Sequence, residues 1–307
     1  MIKRTIYIGN PVYLYVSEDQ LCLDYSKILK GEAEQKRYSI PIEDIGVLML
    51  DERQVTLTVP LLQRLLENNV AIIVCSDNHH PQGMFLNLDG HTKQSERFKY
   101  QIDASQPLKK QLWQQTIKKK IQNQARLLSL NSVDVENMDY WEKSVRSGDP
   151  TGVEAKAAAY YWKHLFKEKF PLFTRRRDGE APNHLLNYAY SLVRATVARA
   201  LTGSGLLPTL GIFHRNQYNA FCLADDIMEP YRPFADASVL ELVKSGAGTS
   251  ELTRSIKQHL LELLVMDVMI DGQRSPLMVA IGRTTASLAK CYTGESNSLI
   301  YPSFRTD

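Results

Sequence analysis

The sequence predicts an α+β chain of two domains, a small N-terminal β-rich domain followed by a larger all-α catalytic domain. Two observations carry this. Up to about residue 88 the apolar residues fall in short β-prone runs separated by turn residues. From residue 105 they recur every three or four positions over long stretches. Residues 89–104, including Asp89-Gly90 and Thr92-Lys93-Gln94-Ser95-Glu96-Arg97, are polar and mixed and read as a linker. The expected domains are therefore 1–88 and 105–307.

The elements follow in order. Residues 4–8 are strand-like and end at the turn Gly9-Asn10-Pro11. Residues 12–16 and 21–25 flank the polar Ser17-Glu18-Asp19-Gln20 and read as a hairpin. Further strands are expected at 36–40, 46–50 and 54–58. Residues 60–66 have helical apolar spacing, with Thr58 as an N-cap and Asn68-Asn69 as a stop. Residues 70–75 are a buried strand and 77–83 a loop. In the second part, Leu108, Leu112, Trp113, Ile117, Ile121 and Leu127 share one face of a helix over 105–130. Helices are also expected over 151–170, 181–201, 217–228, 235–244, 251–268 and 276–289, with a frayed tail from Tyr292.

The 307 residues suffice for a sizeable core in two domains. At 44% hydrophobic and 23% charged the composition is that of a soluble globular protein. A net charge of +3 is too small to argue for nucleic acid, but the positive charge is clustered. Cys22, Cys75, Cys222 and Cys291 are far apart, without C-x-x-C spacing, and read as reduced thiols in the cytoplasm. No signal peptide is expected at the N-terminus, and no apolar run is long enough for a bilayer.

Three positions carry the candidate chemistry: Glu154, His214 and Glu229. Two carboxylates and an imidazole form an oxygen/nitrogen set suited to Mg²⁺ or Mn²⁺. Glu154 also has a bland reading, since Thr151-x-x-Glu154 is a capping box. The alanines that follow (Ala155, Ala157, Ala158, Ala159) favour close helix approach. His214 follows an irregular stretch with Gly203, Gly205, Pro208 and Gly211, a junction where sites concentrate. Asp225 and Asp226 lie four and three residues before Glu229, so each is a helical neighbour of Glu229, and a cation would relieve the repulsion of each pair. Pro230 is expected to end that helix, whose C-terminal dipole also favours a cation. The alternative is a solvated acidic face. His79-His80 resembles a metal pair only superficially.

Basic runs are the second signal. Lys118, Lys119, Lys120 and Arg126 mark the long helix, Arg175, Arg176 and Arg177 a loop, and Arg215 adjoins His214. Each can be a solvated face; near a metal site they suit a phosphate backbone. Tyr160, Tyr161, Trp162 and Lys163 could stack on DNA, although core packing explains most such aromatics.

Taken together, four stretches resemble a known family. They are Gly148-Asp149-Pro150-x-Gly152-x-Glu154-Ala155, Pro182-Asn183-x-x-Leu186-Asn187-Tyr188-x-Tyr190, Gly211-x-x-His214, and Asp225-x-x-x-Glu229-Pro230-x-Arg232-Pro233. The sequence resembles the CRISPR-associated integrase-endonuclease, CRISPR-associated protein one, over nearly its whole length. The resemblance implies that Glu154, His214 and Glu229 are the metal ligands and catalytic residues, with Mg²⁺ or Mn²⁺ as cofactor and Asp225 as an assisting acid. Many relatives carry Asp at the third position. Glu229, 15 residues after His214, is similar to the type II branch, where a large RNA-guided nuclease accompanies the adaptation proteins. The resemblance further implies a homodimer through the β-rich domain, CRISPR-associated protein two as partner, and double-stranded DNA (prespacer and leader-repeat) as substrate. The implied reaction is attack of a fragment's 3′-hydroxyl on a repeat phosphodiester.

Two other readings use the same residues: a metal-dependent nuclease of DNA repair intermediates, and a non-catalytic DNA-binding scaffold in which Glu154 only caps a helix.

Overall fold

The computed structural model describes residues 3–26, 37–77, 79, 81–246 and 250–305. The chain divides into two compact units, Met1–Gly90 and His91–Asp307.

In the first unit, strands β1 (Arg4–Ile8), β2 (Val12–Ser17), β3 (Gln20–Asp24), β4 (Arg37–Pro41), β5 (Ile45–Leu50) and β6 (Val55–Leu57) precede helix α1 (Val59–Glu67) and strands β7 (Ala71–Cys75) and β8 (Pro81–Phe85). They form two four-stranded sheets, ordered β1-β5-β7-β8 and β4-β3-β2-β6. The expected hairpin is present, with Tyr13 opposite Asp24 and Ser17 opposite Gln20. Strand β5 is buried at every position because β1 and β7 flank it. That fits the unbroken apolar run Ile45-Gly-Val-Leu-Met-Leu. The core collects Val12, Leu14, Leu21, Ile45, Leu48, Leu61, Leu65 and Ile72.

Helix α1 begins with Pro60 in its first turn, as expected, but Thr58 makes no side-chain cap bond. The expected 77–83 loop is shorter than read: β8 starts at Pro81 and pairs antiparallel with β7, Met84 opposite Ile73. Alternation is weak there because four of its five residues are polar, Gly, Pro or exposed. Lys36, Asn78 and His80 lie outside the described residues. His79 turns its Nδ1 to Asp51, 2.9 Å away.

The second unit contains helices α2 (Gln94–Asp103), α3 (Gln106–Leu130), α4 (Glu136–Ser144), α5 (Val153–Leu165), α6 (Asn183–Gly203), α7 (Cys222–Met228), α8 (Arg232–Lys244) and α9 (Arg254–Glu262). A hairpin of β9 (Asp267–Ile270) and β10 (Gln273–Pro276) leads into α10 (Leu277–Thr293). Two expectations change here. The polar stretch read as a linker is largely α2, and its buried Gln101 donates to the carbonyls of Leu207 and Leu210. A helix can be mostly polar when side-chain hydrogen bonds, rather than an apolar face, fix it in place. The domain is also not all-α: the predicted 251–268 helix stops at Glu262 and the chain turns into β9. Asp271-Gly272, both at positive φ, make the hairpin turn.

Three predicted helices are shorter: 105–130 begins at Gln106 with Ser105 capping Leu108 N, 151–170 spans Val153–Leu165, and 217–228 begins only at Cys222. The tail read as frayed is packed. Tyr301 is buried with its hydroxyl 2.9 Å from Thr116 Oγ1, and Phe304 stacks on Phe234. All four cysteines are free. Among the described residues, no helix is long and apolar enough to cross a membrane.

Asp236 lies inside this unit, accepting from Tyr161 Oη at 2.7 Å and Tyr190 Oη at 2.6 Å. Burial pushes its carboxyl up to about 6, and the tyrosine bonds only partly offset this. The folded protein therefore holds a proton that the unfolded chain releases near pH 4, the ordinary carboxylate value of about 3.9. Stability from this group is greatest below pH 4 and falls as pH rises to about 6. Asp236→Asn should flatten that segment of a melting-temperature profile; an unchanged slope would contradict the account.

Candidate metal centre

The site is assembled by three helical segments of the second unit and one loop. Helix α3 supplies Lys120, the start of α5 supplies Glu154, and the 3₁₀ turn Glu229–Tyr231 between α7 and α8 supplies Glu229. The ammonium of Lys120 lies between the two carboxylates, 2.5 Å from Glu154 Oε1 and 2.6 Å from Glu229 Oε2. Lys120 and Glu229 are buried; the Glu154 side chain is about a third exposed. Arg232 reaches the other oxygen of Glu229 at 3.1 Å. Burial pushes the Glu229 carboxyl up, but Arg232 and Lys120 outweigh it and hold it below its ordinary value. Burial likewise pulls the Lys120 ammonium down, yet Glu229 and Glu154 outweigh it and raise it. The Glu229 carboxylate is therefore held ready as an anion.

The positions have local causes. Gly152 sits in the left-handed region, φ 61°, which turns the chain into α5. The first free amides of α5, Val153 N and Glu154 N, donate to Oδ1 and Oδ2 of Asp149 at 2.9 and 3.0 Å. Asp149 is thus the cap, and Glu154 is released from the capping-box role. Of the alanines that follow, only Ala157 is fully buried, so close helix approach involves one position and not four. Pro230 does not stop the helix beside Glu229: the 3₁₀ turn leads directly into α8, because proline needs no partner for its missing N–H in a first turn. Asn123 of α3 fixes this turn by donating to the carbonyl of Pro230 at 2.8 Å.

His214 stands on the loop after Gly211. Its Nδ1 is 2.5 Å from Asp226 Oδ1. Asp226 is fully buried and also accepts the backbone N–H groups of Phe213 and His214. That hydrogen bond raises the imidazole above its ordinary value, against burial. Phe213 stacks on Trp113 of α3 with centroids 4.2 Å apart, and His214 meets the same indole edge-on. With Nδ1 committed, Nε2 is the nitrogen available to a ligand, the usual carboxylate–histidine arrangement. Gly211 makes the loop possible: a Cβ there would stand 2.4 Å from His214 O and 2.7 Å from Asp226 Oδ2. Gly211→Ala should therefore cost about 1–3 kcal/mol, the scale of overpacking. Urea unfolding measures it, and a change under about 0.3 kcal/mol would contradict the geometry.

The structure thus brings Glu154 and Glu229 onto one cation and holds His214 by a buried carboxylate. Among the described residues, no three His, Cys, Asp or Glu side chains form a ready cation cage; an ammonium stands between the two carboxylates instead. The donor chemistry fits a divalent ion. Two carboxylates already hold a cation, and Glu229 Oε2 is buried with a charge partner but no properly directed hydrogen bond. Asp225, read as an assisting acid, is turned to other partners, Arg194 Nε at 2.6 Å and Asn219 Nδ2 at 2.7 Å.

The basic residues separate. Lys120 is not part of a solvated face, while Lys118 and Lys119 beside it are half-buried. Arg126 donates to Arg305 O. Arg175 is tied to Asn183 and Asn187 and lies over the Tyr190 ring, which orders its loop. Arg176, Arg177 and Arg215 are exposed, Arg215 donating to Gln106. Tyr161 is core, its hydroxyl on Asp236; Tyr160 and Trp162 are half-buried, and Lys163 is exposed. Sequence reasoning missed the parts played by Lys120, Asp149 and Asp226. Lys120 was traceable, since it falls on the same helical stripe as Trp113, Ile117 and Gln124.

The helical unit, which follows the β-rich unit in sequence, thus carries two carboxylates on one cation and a carboxylate-held histidine. The sequence model of CRISPR associated protein Cas1 matches residues 9–262, and the chain belongs to that family. It is 38% identical over 289 residues to a CRISPR-associated endonuclease Cas1 from Neisseria meningitidis serogroup C, covering 94% of this chain and 91% of the relative. Among solved structures, the fold is similar to a casposase bound to integration product, with a TM-score of 0.78 at 20% identity over 97% of this chain and 92% of that one. It is also similar to a Cas1 protein from Thermotoga maritima, with a TM-score of 0.74 at 18% identity over 99% and 100%. A third similar chain occurs in a Cas6-RT-Cas1–Cas2 complex, at a TM-score of 0.72 and 17% identity over 96% of this chain and 35% of that one.

Proposed function

We propose that this chain is a metal-dependent DNA endonuclease and integrase that inserts captured DNA fragments into a CRISPR array. The observation that carries the reading is the convergence of Glu154 and Glu229, from separate helical segments, on one buried cation, with His214 fixed by Asp226. Membership of the Cas1 family and the endonuclease name of the Neisseria relative support it. The casposase captured with its integration product supports the joining reaction.

Glu154, Glu229 and His214 Nε2 would hold Mg²⁺ or Mn²⁺. When bound, the ion would lower the barrier by activating the attacking oxygen and neutralising charge on the phosphate. The reaction is transesterification. The 3′-hydroxyl of the fragment forms a new phosphodiester with the repeat phosphorus, and the existing P–O3′ bond breaks. The attacking hydroxyl loses its proton and the departing 3′-oxygen gains one. Asp226 keeps the imidazole in one tautomer, and Asn123 and Asp149 hold the segments that carry the carboxylates. With water as nucleophile the same groups would cut DNA.

Two attacks at opposite ends of one repeat need two such sites at a fixed separation. This supports a homodimer, and the Cas6-RT-Cas1–Cas2 complex above supports CRISPR-associated protein two as its partner. The test uses a short duplex and a supercoiled plasmid carrying a leader and repeat, with and without the partner. Joining at both repeat ends only with the partner is expected. Cutting without joining, even with the partner, would turn the reading to a repair nuclease.

A further inference from the structure

We infer that Lys120 is a built-in counter-cation that occupies the metal seat and must leave it before a divalent ion can enter. The inference rests on the reading of Glu154, His214 and Glu229 as cation ligands.

Its basis is placement. Lys120 belongs to a run of three lysines, yet it alone turns inward, its side chain 7% exposed, while Lys118 and Lys119 remain half-buried. Its Nζ touches Glu154 Oε1 and Glu229 Oε2, one oxygen of each carboxylate that would hold the ion, and so ties α5 to the turn before α8. A short bridge to both leaves no room for a second cation between them.

Charge makes the same point. Lys120 and Arg232 together balance Glu154 and Glu229, so the pocket is neutral as it stands. A divalent ion added to that set would create a net double positive charge in a buried site, which is unfavourable. Departure of the ammonium removes part of the excess, and an arriving DNA phosphate would remove the rest. Lys120 therefore makes the site bind metal weakly alone and more tightly with DNA. It also keeps the carboxylates together without metal, where like charges would otherwise push them apart. Arg232 cannot play this part: it sits on the far oxygen of Glu229 and over the Tyr190 ring.

The test is Mn²⁺ binding to the whole protein without DNA, read by calorimetry and by the melting temperature with and without the ion. Lys120→Met matches the length of the side chain and removes the charge. It should bind Mn²⁺ about tenfold or more tightly than wild type, a typical coupling between ligands at linked sites. Its metal-free form should melt lower, and Mn²⁺ should raise its melting temperature further than that of wild type. If Lys120→Met does not fold, Lys120→Gln serves the same comparison. Mn²⁺ binding that is lost in Glu229→Gln but unchanged or weaker in the Lys120 variant would overturn the inference and leave the metal site standing, with Lys120 then a support for the ligands. Absence of Mn²⁺ binding to wild type and variant alike would overturn both.

Discussion

Glu154→Ala should melt within a few degrees of wild type and yet join no DNA. The two effects separate because Asp149, and not Glu154, caps α5, accepting both Val153 N and Glu154 N. A true capping-box residue would cost about 1 kcal/mol on removal. The carboxylate of Glu154 instead reaches Lys120 and is about a third exposed, so its loss leaves Lys120 still paired with Glu229. For strand transfer the expected loss exceeds the roughly 10–100-fold typical of groups that only support a ligand. Joining within tenfold of wild type would remove Glu154 from the reaction; a destabilised fold with intact specific activity would restore the scaffold reading.

Asp226→Asn should have the next largest effect, through a different route. Asp226 accepts three bonds, from the N–H groups of Phe213 and His214 and from His214 Nδ1. Asparagine can still accept the backbone groups, but its amide can also donate to Nδ1. That would move the imidazole proton to Nε2 and remove the lone pair a ligand needs. Strand transfer should fall about 10–100-fold, the scale of outer-shell changes at metal ligands. Mn²⁺ affinity should fall with it. Asp226→Ala should do both and also lower stability, because buried N–H groups left without partners cost about 1–3 kcal/mol each. If Asp226→Asn weakened the fold but left Mn²⁺ affinity unchanged, Asp226 would be structural only.

Much of this site could be read from residues without coordinates. Glu154, His214 and Glu229 were marked by their local settings and by four family-like stretches, and the fold does place Glu154 and Glu229 on one ammonium. The hairpin 12–25 and helix α3 with its Ser105 cap follow from period and turn chemistry, which act over a few residues. What escaped depends on distant partners. Helix α2 looked like a linker because its anchor, Gln101, bonds to Leu207 and Leu210 more than a hundred residues away. Lys120 looked like one of three solvated lysines because charge runs usually are, and only the carboxylates of α5 and the turn before α8 repay its burial. The tail looked frayed because its polar composition says nothing of Thr116 and Asn123, which hold Tyr301 and Pro302. The predicted helix over 251–268 ran on past Glu262 because the β9–β10 turn breaks the pattern only at Asp271-Gly272.

The most direct test of the central claim is strand transfer by wild type and His214→Ala in Mn²⁺, in Mg²⁺ and with EDTA, on a plasmid carrying a leader and repeat. His214 suits this comparison because its side chain is 44% exposed and the Lys120 ion pairs to Glu154 and Glu229 do not include it. The account predicts joining at the repeat boundary with either ion, none with EDTA, and none or nearly none in His214→Ala, which should still fold although it melts lower for loss of the Asp226 bond. Joining that persists in EDTA, or in His214→Ala, would contradict it.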